Sequence, residues 1–280
     1  MTEWRGKPVA DAIANGLKSR IGALRERGVV PCLAVVRVGE RLEDLAYERG
    51  LKKRFEAADA AVLIRAFPET VSQKELEYCL SALGRDDSVH GVLLFRPLPK
   101  TLDEGRLRNA VPLYKDVDCM SDGSRLFVLD GKGIGFPPCT PQAVLELLDY
   151  YGFDLTGKRV AVIGRSMVVG KPLAMLLLNR NATVTICHTR TVNLPEVCAQ
   201  NDLLISAAGK GGLVGRDFVR PGMAVVDVGV SDDGNGGIRG DVVFSEVASV
   251  AEAVTPVPGG VGSVTSAVLL KHTVQSAETV

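Results

Sequence analysis

Residues 162–170 have the composition expected of a phosphate-binding turn. Their sequence is V-I-G-R-S-M-V-V-G, between a predicted strand and a predicted helix. Gly164 allows a tight turn, Ser166 offers a hydroxyl, and a helix beginning at Gly170 presents free N–H groups at its positive end. The segment therefore predicts a pyrophosphate site, although its spacing differs from G-x-G-x-x-G. An ordinary strand-to-helix turn is the alternative.

The end of the next predicted strand favours NADP over NAD. An NAD site usually has Asp or Glu at this point, hydrogen-bonded to the ribose 2′-hydroxyl. Residues 185–191 are T-I-C-H-T-R-T and include no carboxylate. Arg165, His188 and Arg190 are available instead for a 2′-phosphate, because a guanidinium pairs with two phosphate oxygens at once. For Arg190, a solvated surface charge is the alternative.

A strip rich in proline and glycine is the third candidate. Residues 255–262 are T-P-V-P-G-G-V-G. The prolines fix the chain and the glycines remove side chains, so the backbone can approach a flat ligand closely. A rigid turn is the alternative, and the two interpretations are compatible.

Two series of strands alternating with helices position these segments. The predicted strands are residues 32–38, 61–67, 91–95, 158–164, 182–187, 202–209 and 223–229. Alternation of this kind predicts parallel sheets covered by helices. We therefore expect an α/β protein whose second half is a doubly wound, Rossmann-like lobe.

The composition limits the classes of partner. Of the 280 residues, 46% are apolar and 24% charged, and 33 basic residues balance 33 acidic ones, so no basic field favours nucleic acid. No apolar run approaches the roughly 18 residues of a membrane helix, and the N-terminus lacks a signal core. We expect a cytoplasmic protein that binds neither membrane nor nucleic acid. Six scattered cysteines without a CxxC pair, with three histidines, favour free thiols over disulfides or a metal site.

Eight short motifs extend over nearly the whole chain. They are E-T at residues 69–70, G-V-L-L-F-R-P-L-P at 91–99, K-D-V-D at 115–118, P-C-T-P at 138–141, G-R-S-M-V-V-G-K-P at 164–172, D-V-G at 227–229, G-D-V at 240–242 and T-P-V-P-G-G-V-G at 255–262. Together they resemble the FolD family, the bifunctional methylenetetrahydrofolate dehydrogenase/methenyltetrahydrofolate cyclohydrolases.

The resemblance implies a catalytic lobe at residues 1–138, completed by a C-terminal helix at 264–280. A nucleotide-binding lobe at 139–263 would face it across a cleft that holds a tetrahydrofolate derivative. The implied reaction is hydride transfer from the methylene bridge to NADP and then addition of water, in a homodimer. Tyr47 and Asp118 are the implied catalytic residues, and they would contact the substrate together with Pro258, Gly259 and Gly260. The implied cofactor residues are Gly164, Arg165, Ser166, Gly170, His188, Thr189, Arg190 and Val230.

The substrate side departs from the family pattern. That pattern has a Lys four residues after the Tyr and a Gln at the strand end, where this chain has Leu51 and Phe95. The folate-contacting Ser is replaced by Asp44. Lys52 is offset from the Lys position by about 100° around a helix, so it is expected to point elsewhere unless the helix bulges near Gly50. The nucleotide side keeps its motifs.

These departures are expected to affect the two family reactions differently. An amine can relay a proton or position water, whereas Leu51 and Phe95 can do neither. Hydride transfer depends more on orientation of the reactants. The sequence therefore predicts an NADP-dependent methylenetetrahydrofolate dehydrogenase with doubtful cyclohydrolase activity. The alternatives are a fully bifunctional enzyme, a non-catalytic nucleotide-binding relative, and an oxidoreductase for another substrate.

Overall fold

Strands and helices alternate through the chain in the computed structural model, which describes residues 1–131, 134–234 and 236–279. The strands are β1 (Thr2–Glu3), β2 (Cys32–Val38), β3 (Ala61–Phe67), β4 (Gly91–Leu94), β5 (Arg159–Ile163), β6 (Thr183–Cys187), β7 (Leu203–Ser206), β8 (Ala224–Asp227), β9 (Ser231–Asp232), β10 (Ile238–Arg239) and β11 (Ala253–Val254). The helices are α1 (Gly6–Glu26), α2 (Leu42–Glu56), α3 (Gln73–Arg85), α4 (Glu104–Arg108), α5 (Asp122–Asp130), α6 (Cys139–Tyr150), α7 (Gly170–Asn179), α8 (Leu194–Ala199), α9 (Phe244–Ala248) and α10 (Val261–Ala277).

The chain divides into two compact units. The six-stranded unit comprises Met1–Asp11 and Thr140–Thr265, and the three-stranded unit comprises Ala12–Cys139 and Ser266–Val280. The sequence analysis assigns all of residues 1–138 to the first lobe, whereas the first eleven residues lie in the six-stranded unit. The reason is that β1 pairs in parallel with β11, with Thr2 opposite Ala253.

The three-stranded unit has the parallel order β3-β2-β4. Its central strand, CLAVVRV, is almost wholly buried, as expected for a parallel strand covered on both faces. The core contains Ala34, Val36, Leu76, Leu80 and Val92. A two-pronged ion pair between Arg20 and Glu278 joins α1 to the C-terminal end of the chain within this unit.

The six-stranded unit has the order β1-β11-β8-β7-β5-β6, with every pairing parallel. Strand β5 lies between β6 and β7, so the chain leaves β5 to one side and returns on the other. A ligand site is expected at such a switch point, outside the carboxyl ends of the strands. The loops that follow β5, β6 and β7 meet at this edge.

The predicted α/β class and the doubly wound second half are confirmed. Residues 101–138 contain the short helices α4 and α5. Helix α6 begins at Cys139, and its first N–H donates to the Asp118 carboxylate at 2.9 Å. No helix among the described residues has the length and apolar character needed to cross a membrane.

Candidate active site and nucleotide cavity

A cavity of about 560 Å³ opens at the carboxyl ends of β5, β6 and β7. Five residues named from the sequence contribute to its lining, namely Gly164, Arg165, Ser166, His188 and Thr189. The remaining cofactor candidates, Gly170, Arg190 and Val230, do not. The lining also includes residues that the sequence analysis missed: Ile163, Thr191, Leu194, Ala207, Ala208, Lys210 and Leu213. The position of residues 207–210 directly after β7 was the available signal, because neighbouring strand ends share one edge.

Two glycines make the turn after β5 possible. Gly164 has φ +130°, and a Cβ at this position would collide with the carbonyl of Ala207. A Cβ at Gly170 would collide with the carbonyl of Gly164. Because both side chains are absent, the turn folds tightly against the loop after β7 and leaves the cavity open. The cavity beside this turn has room for the pyrophosphate of a dinucleotide.

The start of α7 does not offer the free N–H groups expected from the sequence. The N–H groups of Val169 and Gly170 donate to the Ser166 hydroxyl oxygen at 3.1 and 3.4 Å. Lys171 donates to the Ser166 carbonyl at 3.0 Å, and the next residue is Pro172, which has no N–H. The Ser166 oxygen therefore accepts from the helix end, and its own O–H remains a donor that can be directed to a phosphate.

A four-residue turn after β6 orients His188. The His188 N–H donates to the Thr191 hydroxyl at 2.9 Å, and the Thr191 N–H donates to the His188 carbonyl at 2.8 Å. The Nδ1 atom accepts the N–H of Arg190 at 3.2 Å. In the neutral ring the proton is therefore assigned to Nε2. His188 and Arg165 thus supply two donors to the cavity, a set that fits the 2′-phosphate of NADP.

In the three-stranded unit, Tyr47 packs against Phe95, which the sequence analysis places at the Gln position of the family pattern. The ring centroids of Tyr47 and Phe95 are 5.6 Å apart and the planes are tilted by 33°. Although 38% of the Tyr47 surface is exposed, desolvation raises the pKa of its hydroxyl, and Cys139 and Asp118 add to the effect. The hydroxyl therefore stays protonated at neutral pH and acts as a hydrogen-bond donor.

Asp118 lies in the same unit as Tyr47 and holds the first N–H of α6. The negative carboxylate is stabilised there by the positive end of the helix dipole. Desolvation nevertheless raises the pKa of Asp118 above its usual range. The thiol of Cys139 donates to the Val117 carbonyl at 3.3 Å, and desolvation raises its pKa well above the usual range. Cys139 is consequently a neutral thiol and a poor nucleophile.

Leu51, which the sequence analysis places at the Lys position of the family pattern, is fully buried. Helix α2 runs without interruption through Gly50, so no bulge brings Lys52 to this face. The Lys52 ammonium lies 3.6 Å from the Glu48 carboxylate. Glu48 also accepts from Arg37 Nε at 3.1 Å, in a pair that is almost completely buried. Lys52 is therefore directed to an ion-pair network rather than to Tyr47.

The loop before α2 is fixed by a charged pair. Arg41 donates two parallel hydrogen bonds to Asp44, each of 2.9 Å. It also donates to the Arg96 carbonyl at 3.0 Å, immediately after Phe95. Asp44, which the sequence analysis places at the position of the folate-contacting Ser, is thus engaged by a guanidinium.

The strip at residues 255–262 lies in the six-stranded unit. The N–H of Gly6 donates to the carbonyl of Gly259 at 2.8 Å, and a Cβ on Gly6 would collide with the carbonyl of Gly260. The backbone of Gly259 and Gly260, which follow Pro258, is thus in close contact with Gly6. Across the residues described, no group of three or more His, Cys, Asp or Glu is arranged to hold a metal ion.

Comparisons with known proteins agree with both halves of this description. Residues 4–118 match the model of the tetrahydrofolate dehydrogenase/cyclohydrolase catalytic domain, and residues 138–280 match that of its NAD(P)-binding domain. The chain belongs to the tetrahydrofolate dehydrogenase/cyclohydrolase family.

Relatives in this family are similar over nearly their full length. The bifunctional protein FolD of Carboxydothermus hydrogenoformans is 50% identical over 98% of this chain and 96% of its own. The crystal structure of the bifunctional enzyme FolD from Campylobacter jejuni has a TM-score of 0.97 at 39% identity, covering 100% of this chain and 99% of the other. The FolD of Trypanosoma brucei, solved as a complex with NADP and an inhibitor, has a TM-score of 0.93 at 33% identity, covering 98% and 96%.

The structure brings Tyr47 and Asp118, the two catalytic residues that the sequence analysis names, into one unit with Cys139. Leu51 and Phe95, which the sequence analysis places at the Lys and Gln positions of the family pattern, are both buried. Neither side chain carries a polar atom, so neither needs a hydrogen-bond partner.

Proposed function

We propose that the protein is an NADP-dependent methylenetetrahydrofolate dehydrogenase with little or no cyclohydrolase activity. The folate derivative is assigned to the unit that contains Tyr47 and Asp118, and the nucleotide to the cavity at Gly164 and His188. The observation that carries the proposal is the contact of Phe95 with Tyr47 beside a fully buried Leu51. With Leu51 at the Lys position, no amine is available at the methenyl site, whereas the nucleotide cavity keeps its hydrogen-bond donors.

The residues present divide the work of the first reaction. Bound NADP supplies the hydride acceptor. Ser166, Arg165 and His188 donate hydrogen bonds that hold its phosphates. Tyr47 presents a ring for stacking and a protonated hydroxyl, and the Asp118 carboxylate accepts N–H groups of the pterin. Orientation of this kind provides much of the rate of a hydride transfer that requires no protein base.

The second reaction lacks its proton relay. Addition of water to a methenyl cation requires a group that removes a proton from the attacking water, and such a group contributes about 10²- to 10⁴-fold in rate. Leu51 has no titratable atom, Lys52 is engaged by Glu48, and the Tyr47 hydroxyl stays protonated. Full bifunctionality is the second candidate, favoured by the names of the FolD relatives. A homodimer and a cytoplasmic location remain predictions.

A two-step assay tests the proposal. Methylenetetrahydrofolate and NADP are mixed with the protein, and NADPH and methenyl absorbance are recorded together. We expect NADPH to form while the methenyl product persists. In a second step, methenyltetrahydrofolate alone should disappear no faster than in buffer. Faster loss would establish the bifunctional enzyme, and absence of both reactions would indicate a nucleotide-binding relative or another substrate.

A further inference from the structure

The loop after β7 forms one wall of the nucleotide cavity. Ala207, Ala208 and Lys210 line the cavity from this loop. Its first residue is anchored to the sheet, since the Ala207 N–H donates to the Ile163 carbonyl at 2.8 Å. The next three residues have left the strand, and Gly209 has φ +62°. Their conformation therefore needs another source of support.

The carboxylate of Asp241 supplies that support. Its Oδ2 accepts the hydroxyl of Ser206 at 2.8 Å and the N–H of Ala208 at 2.7 Å. Its Oδ1 accepts the N–H of Lys210 at 2.7 Å. The side chain has no solvent exposure. One donor at the end of β7 and two in the wall thus converge on a single buried carboxylate. Such charge-assisted bonds are short and strong.

Asp241 is itself fixed by a second carboxylate. Asp227, at the end of β8, accepts the N–H of Asp241 at 3.1 Å and the N–H of Val242 at 2.9 Å. The Asp241 carbonyl accepts the N–H of Val214 at 2.9 Å. The D-V-G and G-D-V motifs, which the sequence analysis left without a chemical role, therefore form a continuous chain of hydrogen bonds that ends at the cavity wall.

We propose that Asp241 is a positioning residue of the nucleotide site, which holds residues 207–210 in the conformation that receives the dinucleotide. This inference rests on the proposed nucleotide binding. Asp241 does not line the cavity, and it acts through the N–H groups of Ala208 and Lys210. An amide in its place can accept on one side only. One of those two N–H groups would then face an NH₂ donor, and the wall would relax.

Binding of NADPH, followed by its fluorescence, tests this role without any need for turnover. For Asp241→Asn we expect the Kd for NADPH to rise about tenfold or more, the effect of losing a hydrogen bond to a charged group. Asp202→Asn is the matched control, because Asp202 accepts from the Arg159 N–H and from Arg220 just before β7. That variant loses a carboxylate from the same sheet and should bind NADPH as the wild type does.

Amide hydrogen exchange separates positioning from a general loss of stability. In Asp241→Asn, exchange at Ala208 and Lys210 should accelerate while the amides within β5 keep their wild-type rates. An unchanged Kd in a folded Asp241→Asn protein would overturn the inference. If that variant fails to fold, Ser206→Ala decides. It removes one donor to the carboxylate and should weaken binding about threefold, and wild-type affinity would overturn the inference. A wild-type protein that does not bind NADPH would refute the proposed function instead, and exchange at Ala208 and Lys210 would still report whether Asp241 holds the wall.

Discussion

Phe95 gives Tyr47 an aromatic neighbour, with ring centroids 5.6 Å apart. The sequence analysis places Phe95 at the Gln position of the family pattern. A contact of this kind contributes about 0.5–1.5 kcal/mol beyond the burial of area. The contact fixes the Tyr47 ring by packing. Phe95 offers no hydrogen-bond partner to the amine of a Lys. Phe95 therefore also stabilises the stacking surface, as the proposed hydride transfer without water addition requires.

Restoring the family pair should restore the hydrolytic reaction. In the double variant Leu51→Lys, Phe95→Gln, we expect methenyltetrahydrofolate hydrolysis to rise by about 10²-fold or more over the wild type, because a proton relay is regained. Phe95→Gln alone is the control and should show no gain. The melting temperature of the double variant should fall, since a charged side chain enters a fully buried position. No gain in a folded double variant would mean that something other than this pair limits the reaction.

Arg165 should determine the preference between nucleotides. We expect Arg165→Ala to raise the KM for NADP about 10- to 100-fold and to leave the KM for NAD almost unchanged, since a 2′-phosphate contact is lost. Steady-state rates with both nucleotides measure the effect. Arg190→Ala serves as the control, because Arg190 does not line the cavity. The N–H that it donates to His188 belongs to the backbone and is kept in the variant. An equal rise for NAD would show that Arg165 contacts the part of the ligand common to both.

Glu48 should matter for stability and Lys52 for neither stability nor catalysis. Removal of Glu48 leaves Arg37 buried without its carboxylate, so Glu48→Ala should lower the free energy of unfolding by about 3 kcal/mol or more. Lys52→Ala breaks only a half-exposed pair and should cost less than about 1 kcal/mol. Urea unfolding measures both. Loss of methenyl hydrolysis in Lys52→Ala would identify Lys52 as the missing base.

Asp227 should make stability depend on pH in a specific direction. Burial raises the pKa of this carboxyl to about 6, from an ordinary value of 3.8, with Asp241 adding to the shift. Between these values the folded protein keeps a proton that the unfolded chain has released. The free energy of unfolding should therefore fall as pH rises from about 4 to about 6 and then level off, by at most about 3 kcal/mol from this group.

The comparison with Asp227→Asn isolates that contribution. Urea unfolding of both proteins at several pH values from 4 to 7 gives two curves, and their difference should change over the same pH interval. Because only the slope is compared, a constant loss of stability in the variant does not affect the result. Parallel curves would place the Asp227 pKa near its ordinary value.

The sheets and the nucleotide turn were predictable because their signals are local. CLAVVRV and AVLIRAF are apolar runs of strand length, and both form strands with the predicted bounds. Gly164 and Ser166 are only two positions apart in sequence, and both line the cavity. The pairing of β1 with β11 joins residues about 250 positions apart through two-residue strands, which leave no periodicity to detect.

The parts of the site that sequence reasoning missed depend on distant partners. Nothing in residues 166–172 alone indicates that Ser166 takes the N–H groups at the start of α7, because this depends on how the turn folds. Likewise, the role of Asp241 depends on a loop more than thirty residues earlier in the chain. By contrast, the sequence alone shows that residues 51 and 95 are Leu and Phe. The structure adds that both side chains are buried and that Phe95 packs against Tyr47.

Each compact unit is assembled from two separate stretches of chain, and this has a consequence for how such a protein can diversify. A gene fragment ending near residue 139 would encode neither unit completely, since the first eleven residues belong to the six-stranded unit and residues from 266 onward to the three-stranded unit. A single recombination junction therefore cannot exchange the unit that holds Tyr47 for another. Exchange of that unit needs junctions near residues 11, 139 and 265 together, so substitution in place is the simpler route to new chemistry.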